Sequence, residues 1–345
     1  MGKVLILTDG KAGHENQSKA FARALGRDYD LVEVHFKSKL HKALSYLLDR
    51  LGVLRLGFFA AKNTKDAKGN GELCALCGET QYAAVIGTGS GTFYAAKAMA
   101  RKLGVKCGVV LYPRGYRLST FDCILAPAFD RPAKAPNVIE IPANLVANDE
   151  QFYAKGVREF AARRAQSDNQ AISQSANAVA VIVGGPNKCS TLTPEWMKAQ
   201  LDRIFAENGH PSRQSPNPDN RTIGQSDNSR FWVTTSRRTP PEVEQVVDSY
   251  PWDYKLLYSK DHFNPIPAFV KLAKRLYVTA ESTGMLSEAC TFGTAEVVAL
   301  DNLKPGRHKF RRFVEGLTAA GYVNGRRKVD LSAQFAAARR LMGLA

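Results

Sequence analysis

Short apolar runs alternate along the first half of the chain with stretches of helical periodicity. KVLILT, YDLVEVHF and YAAVIGTG consist mostly of apolar residues, which predicts buried strands. Between them, ENQSKAFARALG and TFYAAKAMARKLG carry apolar residues at helical spacing and end at Gly26 and Gly104, since glycine commonly stops a helix. VKCGVVLYP, FDCILAP and NVIEIPA predict further strands. This alternation predicts a doubly wound parallel sheet, which binds ligands beyond the carboxyl ends of its strands.

The same alternation starts again at AVAVIVGGPNK and continues through RFWVTTSRRTP, RLYVTAE and AEVVAL. The segment from Arg163 to Asn177 is polar and lacks apolar periodicity, so it predicts an interdomain linker. A length of 345 residues is sufficient for two domains. We therefore predict an α/β fold of two Rossmann-like parallel-sheet domains that face a cleft, at residues 1–165 and 178–330. A last helix, at 331–345, could pack back on the first domain.

The composition, with 44% hydrophobic and 23% charged residues, is that of a soluble globular protein. No apolar run approaches the roughly 20 residues of a spanning helix, and MGKVLILTDG has no features of a signal peptide. The six cysteines are scattered, which is typical of reduced thiols. These features predict a cytoplasmic protein. Cys74 and Cys77 have the spacing of metal ligands but no second pair beside them, so we expect no metal ion.

The net charge of +16 favours polyanionic partners, although it could serve solubility alone. Because no nucleic-acid-binding motif is present, we expect no nucleic acid among the partners. The segment from Lys37 to Lys65 mixes Leu, Phe and Tyr with basic residues. As a helical hairpin it would either lie on an anionic membrane surface or pack its apolar side on the core, and the charge favours the membrane.

The loop TDGKAGHENQSKA follows the first predicted strand and opens a helix. Its glycines permit a tight turn, and free N–H groups at a helix start attract anions. His14 could act as a general base, with Asp9 or Glu15 orienting it or acting instead. The second glycine loop, GTGSGT at Gly87–Thr92, departs from the spacing of a dinucleotide motif, so we expect it to shape an acceptor cleft.

In the second half, GGPNK, TTSRRTP and TAESTGMLSEACTFGT each follow a predicted strand. Backbone amides near Gly185, together with Lys188, could hold a diphosphate. Arg237 and Arg238 suit bidentate phosphate or carboxylate contacts. Because these loops end neighbouring parallel strands, they would line one edge of one sheet.

The motifs DGKAGHENQS, VIVGG, TTSRRTP, NPIPAF, VTAESTGMLSEA and KFRRF occur in this order, and with them the chain resembles the mitochondrial-fission ELM family and its bacterial relatives. This resemblance implies a GT-B fold like that of the transferases that make lipid-linked peptidoglycan precursors. It places His14 at the acceptor-side turn and STGMLSE around the donor nucleotide, with Glu288 at the ribose hydroxyls. Together with the loops described above, the candidate donor-binding set is Gly185, Lys188, Ser236, Arg237, Arg238, Glu281, Ser282, Thr283, Gly284, Met285, Ser287 and Glu288, and the acceptor side has Gly13, Asn16, Gly89 and Ser90.

The resulting hypothesis is a metal-independent glycosyltransferase on the cytoplasmic side of the inner membrane. It would move a sugar from a nucleotide-sugar to a lipid-linked or phosphorylated glycan, such as the lipopolysaccharide core, without a cofactor. We expect Glu281 to face the sugar or the cleft, because a carboxylate repels phosphates. A non-catalytic membrane adaptor and a sugar-nucleotide epimerase are the alternatives.

Overall fold

A computed structural model of the protein describes residues 2–63, 81–168, 177–209 and 229–344. The chain divides into two compact units. Unit 1 comprises residues 1–147 and 330–345, and unit 2 comprises residues 148–329. The CxxC pair at Cys74 and Cys77 lies outside the described residues.

Unit 1 is built on a seven-stranded sheet in the order β3-β2-β1-β4-β5-β6-β7. Its strands are β1 Lys3–Thr8, β2 Tyr29–Phe36, β3 Phe59–Asn63, β4 Tyr82–Thr88, β5 Lys106–Val110, β6 Cys123–Pro127 and β7 Val138–Ile141. All neighbours are parallel except β3, which pairs antiparallel with β2. The helices are α1 Ala12–Ala24, α2 Lys39–Arg50, α3 Phe93–Leu103 and, from the C-terminal segment, α10 Ser332–Leu341.

Unit 2 contains a five-stranded parallel sheet in the order β10-β9-β8-β11-β12. Its strands are β8 Ala178–Val183, β9 Arg230–Thr235, β10 Tyr254–Leu256, β11 Arg275–Thr279 and β12 Glu296–Leu300. The helices are α4 Glu150–Asp168, α5 Pro194–Glu207, α6 Pro241–Asp248, α7 Ile266–Leu272, α8 Thr283–Phe292 and α9 Lys309–Ala319. The predicted α/β fold with two Rossmann-like sheets is confirmed.

Two central strands explain why the sequence pattern was informative. Val4, Leu5, Ile6 and Leu7 of β1 are all fully buried, and so is every residue of β8. A strand covered by helices on both faces loses the apolar–polar alternation of a half-exposed strand and reads as one continuous apolar run.

Of the helical hairpin predicted over Lys37–Lys65, the structure has the first helix but a strand in place of the second. Helix α2 forms, but Gly52, with a φ of +75°, follows its end. The chain then enters β3, where Phe59 and Ala61 are buried on the core side. Their spacing of two residues is that of a strand, and pairing with β2 supplies the backbone hydrogen bonds.

The chain passes from unit 1 to unit 2 after Ala147, whereas the sequence pattern predicted a boundary at residue 165. Helix α4 belongs to unit 2 because its aromatic residues pack there. Tyr153 stacks on Phe292 with ring centroids 4.8 Å apart, and Phe160 lies 4.7 Å from Tyr254.

The C-terminal helix α10 packs against β6 and β7 of unit 1. Met342, just beyond it, is 1% exposed. A side chain at Gly108 of β5 would collide there, because an added Cβ would lie 2.7 Å from Cε1 of Phe21 and 3.2 Å from Sδ of Met342. Glycine at this strand position therefore makes room for the C-terminal segment.

Candidate functional site

The carboxyl end of β1 carries a paired aspartate and histidine. Gly10, with a φ of +75°, turns the chain after Asp9, and α1 begins at Ala12, so His14 lies in its first turn. The Nδ1 atom of His14 lies 3.0 Å from Oδ1 and 3.1 Å from Oδ2 of Asp9. The imidazole is about a quarter exposed, whereas the carboxylate is nearly buried.

The electrostatics of this pair fix the tautomer of the histidine. Burial by itself would raise the pKa of Asp9, but hydrogen bonds from His14 and Lys11 outweigh it and hold the pKa well below its usual range. The carboxylate is therefore ionised and can only accept, so the proton between the two side chains resides on Nδ1. In the neutral imidazole this leaves the lone pair on Nε2, the atom that can take a proton from a substrate.

The glycine loop after β4 packs directly on this pair. Gly89 has a φ of +83°, and an added Cβ would lie 2.4 Å from Cε1 of His14. An added Cβ at Gly91 would lie 2.9 Å from Cβ of Asp9. The glycines of GTGSGT therefore let the backbone approach the Asp9–His14 pair, a role that the sequence did not reveal.

Other predicted residues of this region have separate partners. Glu15 forms an ion pair of 2.6 Å with Lys19, one turn along α1, so Asp9 is the carboxylate that orients the histidine. Ser90 accepts a hydrogen bond of 3.1 Å from Nζ of Lys42. Gly13 and Asn16 are exposed near the start of α1.

In unit 2, the glycine pair after β8 is tightly enclosed. An added Cβ at Gly184 would lie 2.0 Å from Oε1 of Glu281, and one at Gly185 would lie 2.4 Å from the carbonyl oxygen of Arg238. Thr239 Oγ1 donates to the carbonyl of Gly184 at 2.7 Å. Only glycine fits at these two positions, where the loops after β8 and β9 meet.

The cations predicted to bind phosphate are exposed at these loops. Ser236 shapes the turn after β9, because its Oγ accepts a hydrogen bond of 3.3 Å from the amide of Arg238. The side chains of Lys188, Arg237 and Arg238 are exposed, and none of the three forms an ion pair with a carboxylate of the described residues. They remain available to an anion in solution.

Helix α8 begins at Thr283, four residues after β11 ends at Thr279. Ser282, at its N-cap, is 7% exposed and makes no side-chain capping bond. Gly284 is exposed, with no atom within 4 Å of an added Cβ, and Met285 follows it, half-buried. Ser287 is fully buried, and its Oγ donates to the carbonyl of Thr283 within the helix at 2.7 Å. N–H groups in a first helical turn lack intrahelical partners and can receive an anion, so the predicted contact of this turn with a phosphate stays a prediction.

Glu281 does not face a sugar or a cleft, contrary to expectation. It is 3% exposed. Its Oε2 accepts from Nδ2 of Asn302 at 2.7 Å and its Oε1 from Oγ1 of Thr279 at 3.0 Å. Burial raises the pKa of Glu281, and the hydrogen bonds from Asn302 and Thr279 lower it only in part. This carboxyl ties the ends of β11 and β12 together beneath Gly184.

Asn302 was not recognised from the sequence. Besides binding the carboxylate, its Oδ1 accepts from the amide of Glu281 at 3.3 Å, and its carbonyl accepts from the amide of Thr191 at 2.9 Å. Its position two residues after β12, at a strand end, was the available signal.

Glu288 lies in the second turn of α8, with Oε1 already engaged. Tyr153 Oη donates to it at 2.8 Å, and Asn148 Nδ2 approaches at 3.4 Å. Burial raises the pKa of Glu288, an effect that these two hydrogen bonds oppose. The predicted contact with ribose hydroxyls stays a prediction, and it would have to share this carboxylate with α4.

Among the described residues, no group of three His, Cys, Asp or Glu side chains could hold a metal ion. No helix in that same part of the chain has the length and apolarity needed to cross a membrane.

The family model described as mitochondrial fission ELM1 matches residues 12–216 and 219–338. No curated protein matches the chain. The structure resembles a UDP-GlcNAc 2-epimerase from Neisseria meningitidis bound to UDP-GlcNAc, with 11% identity, 99% of this chain and 98% of that chain covered, and a TM-score of 0.52. A UDP-glucosyltransferase from Polygonum tinctorium matches with 10% identity, 99% and 89% coverage and a TM-score of 0.46. Because the sequence identity is so low, the similarity to the epimerase shows the fold alone, which is the GT-B fold.

Proposed function

Because the chain belongs to the mitochondrial fission ELM1 family and has a GT-B fold, we propose that it is a glycosyltransferase. It moves a sugar from a nucleotide-sugar to a lipid-linked acceptor, with the lipopolysaccharide core as the first candidate. The observation that carries this proposal is the Asp9–His14 pair, in which the proton on Nδ1 leaves Nε2 as the base. The binding of UDP-GlcNAc by the similar epimerase is consistent with a nucleotide-sugar substrate.

In the proposed reaction, Nε2 of His14 takes the proton of an acceptor hydroxyl. The acceptor oxygen forms a bond to the anomeric carbon while the bond from that carbon to the diphosphate oxygen breaks. The nucleoside diphosphate leaves with the electron pair. Asp9 stabilises the imidazolium that forms, because its low pKa keeps it ionised.

On the donor side, unit 2 offers cations and free N–H groups for the diphosphate. Lys188, Arg237 and Arg238 would stabilise the charge on the leaving group, as would the first turn of α8. These contacts take the role that a divalent metal has in other transferases. The nucleotide-sugar is itself the activated substrate, so the proposal includes no cofactor. It places the enzyme on the cytoplasmic face of the inner membrane, where a lipid-linked acceptor is accessible.

The first experiment measures thermal stabilisation of the full chain by UDP-, CMP-, GDP- and ADP-sugars, because a ligand of the native state raises the melting temperature. His14→Ala should abolish transfer and keep donor-induced stabilisation. His35→Ala is the matched control, since His35 pairs with Glu33 on the protein surface. Mass spectrometry of lipo-oligosaccharide from a strain lacking the gene would then identify the missing sugar.

Two rival functions give different results. An epimerase would isomerise the donor without any acceptor. A non-catalytic adaptor, which the family's description suggests, would show no stabilisation by any nucleotide-sugar, and His14→Ala would leave the cellular phenotype intact. Either result would overturn the transferase proposal.

A further inference from the structure

Helix α2 of unit 1 carries leucines on its outer side. Leu40, Leu44, Leu47 and Leu51 recur at intervals of three or four residues, so they share one side of the helix. They are 65%, 36%, 54% and 67% exposed, and we refer to these four as the leucine face. Leucines at helical spacing normally cover a core, whereas here they face solvent.

The buried side of α2 is polar. Ser45 is fully buried and lies 3.0 Å from the hydroxyl of Tyr116. Asp49 is 2% exposed and accepts from Nζ of Lys97 and from the amide of Arg117, both at 2.7 Å. Because these contacts hold one side of the helix inward, they fix its rotation and keep the leucine face outward.

The exposed charges in the segment that contains α2 have one sign. The single acidic residue between positions 37 and 55 is Asp49, and its charge is paired with Lys97 in a buried ion pair. The exposed charged residues of this segment are all basic, namely Lys37, Lys39, Arg50 and Arg55. An apolar stripe bordered by cations is the pattern of a helix that lies in the interface of an anionic bilayer.

We propose that α2 docks the protein on an anionic lipid surface, with the leucine face inserted among the acyl chains and the four cations on the headgroups. A second copy of the chain fits less well, because a twofold contact would bring the same cations against one another. This inference rests on the proposed membrane location and not on the transfer reaction, since vesicle binding requires neither donor nor acceptor.

Co-sedimentation of the full chain with vesicles tests this proposal. The wild type should bind phosphatidylglycerol-rich vesicles and not pure phosphatidylcholine, and high salt should weaken binding. Leu40→Gln combined with Leu47→Gln should weaken binding by about tenfold or more, which corresponds to about 1.4 kcal/mol or more, because two apolar side chains no longer enter the acyl region. Glutamine keeps helix propensity similar, so the melting temperature should not change.

Two controls and two outcomes decide the question. Lys155→Gln and Lys198→Gln remove exposed cations in unit 2, so they should leave vesicle binding near the wild-type value. Lys39→Gln with Arg50→Gln should weaken binding to anionic vesicles. Equal vesicle binding by the double leucine variant and the wild type would overturn the proposal. A wild-type dimer, seen by light scattering and lost in the leucine variant without any vesicle binding, would overturn it in favour of a second copy.

Discussion

The buried ion pair between Lys97 and Asp49 gives a prediction whose magnitude follows from the structure. Both side chains are almost fully buried, at 1% and 2% exposure. Lys97 Nζ donates to Oδ1 of Asp49 at 2.7 Å and to the carbonyl of Arg117 at 2.9 Å. Burial lowers the pKa of Lys97, which shows that desolvation opposes the charged form even beside its partner.

Lys97→Met removes the ammonium and keeps most of the side-chain volume. The carboxylate of Asp49 would then remain buried with only the Arg117 amide as partner. Losing one partner of a buried pair costs about 3–5 kcal/mol. For a unit of this size, where 1 kcal/mol shifts the melting temperature by about 2–4 °C, we expect a fall of about 6 °C or more.

The assay is thermal unfolding followed by far-UV circular dichroism, with tryptophan fluorescence as a second signal. All three tryptophans, Trp196, Trp232 and Trp252, lie in unit 2, so fluorescence reports that unit alone. Lys97→Met combined with Asp49→Asn removes both charges, and we expect it to be more stable than the single variant because no uncompensated charge stays buried. A loss under about 1 kcal/mol for Lys97→Met, or a double variant less stable than the single one, would refute this reasoning.

Two further predictions concern the loops. Gly89→Ala should reduce transferase activity sharply and lower the melting temperature, because it forces a Cβ against His14 at a positive φ. Gly57→Ala is the control and should leave both unchanged, since an added Cβ there meets nothing within 4 Å. For Glu281, burial raises the pKa in the folded state above its ordinary value of 4.5. The folded protein then binds this proton more tightly than the unfolded chain does, so it loses stability as pH rises from the ordinary value through the raised pKa. Melting temperatures of wild type and Glu281→Gln should therefore diverge with rising pH in favour of the variant, and a difference independent of pH would contradict this.

The central strands were predictable because they are buried on both faces and therefore consist of consecutive apolar residues. KVLILT and RLYVT coincide with β1 and β11. β3 was missed because its five residues follow a helix rich in leucine, and its partner β2 can be identified only in three dimensions. The orientation of α2 was equally hidden, because the periodicity of leucines does not say whether they face the core or the solvent.

The candidate site, too, could be predicted from the sequence only in part. The position of His14 after a strand predicted its location, and a nearby carboxylate was expected, but the choice of Asp9 over Glu15 depended on side-chain geometry. Glu288 and its partner Tyr153 are 135 residues apart, a contact that no local pattern could indicate. Glu281 was misjudged because a conspicuous acid at a strand end suggested a ligand, whereas its partner Asn302 makes it structural.

The division of the chain also constrains the order in which the protein can be assembled on the ribosome. Unit 2 is continuous, so all its segments are available before residues 330–345 are synthesised. Unit 1 is complete only once those residues are made, and until then Gly108 of β5 lacks the neighbouring Met342 side chain. The N-terminal half of the protein is therefore the last to mature. A nascent chain that stalls before residue 330 would therefore contain every segment of unit 2 and lack the last segment of unit 1.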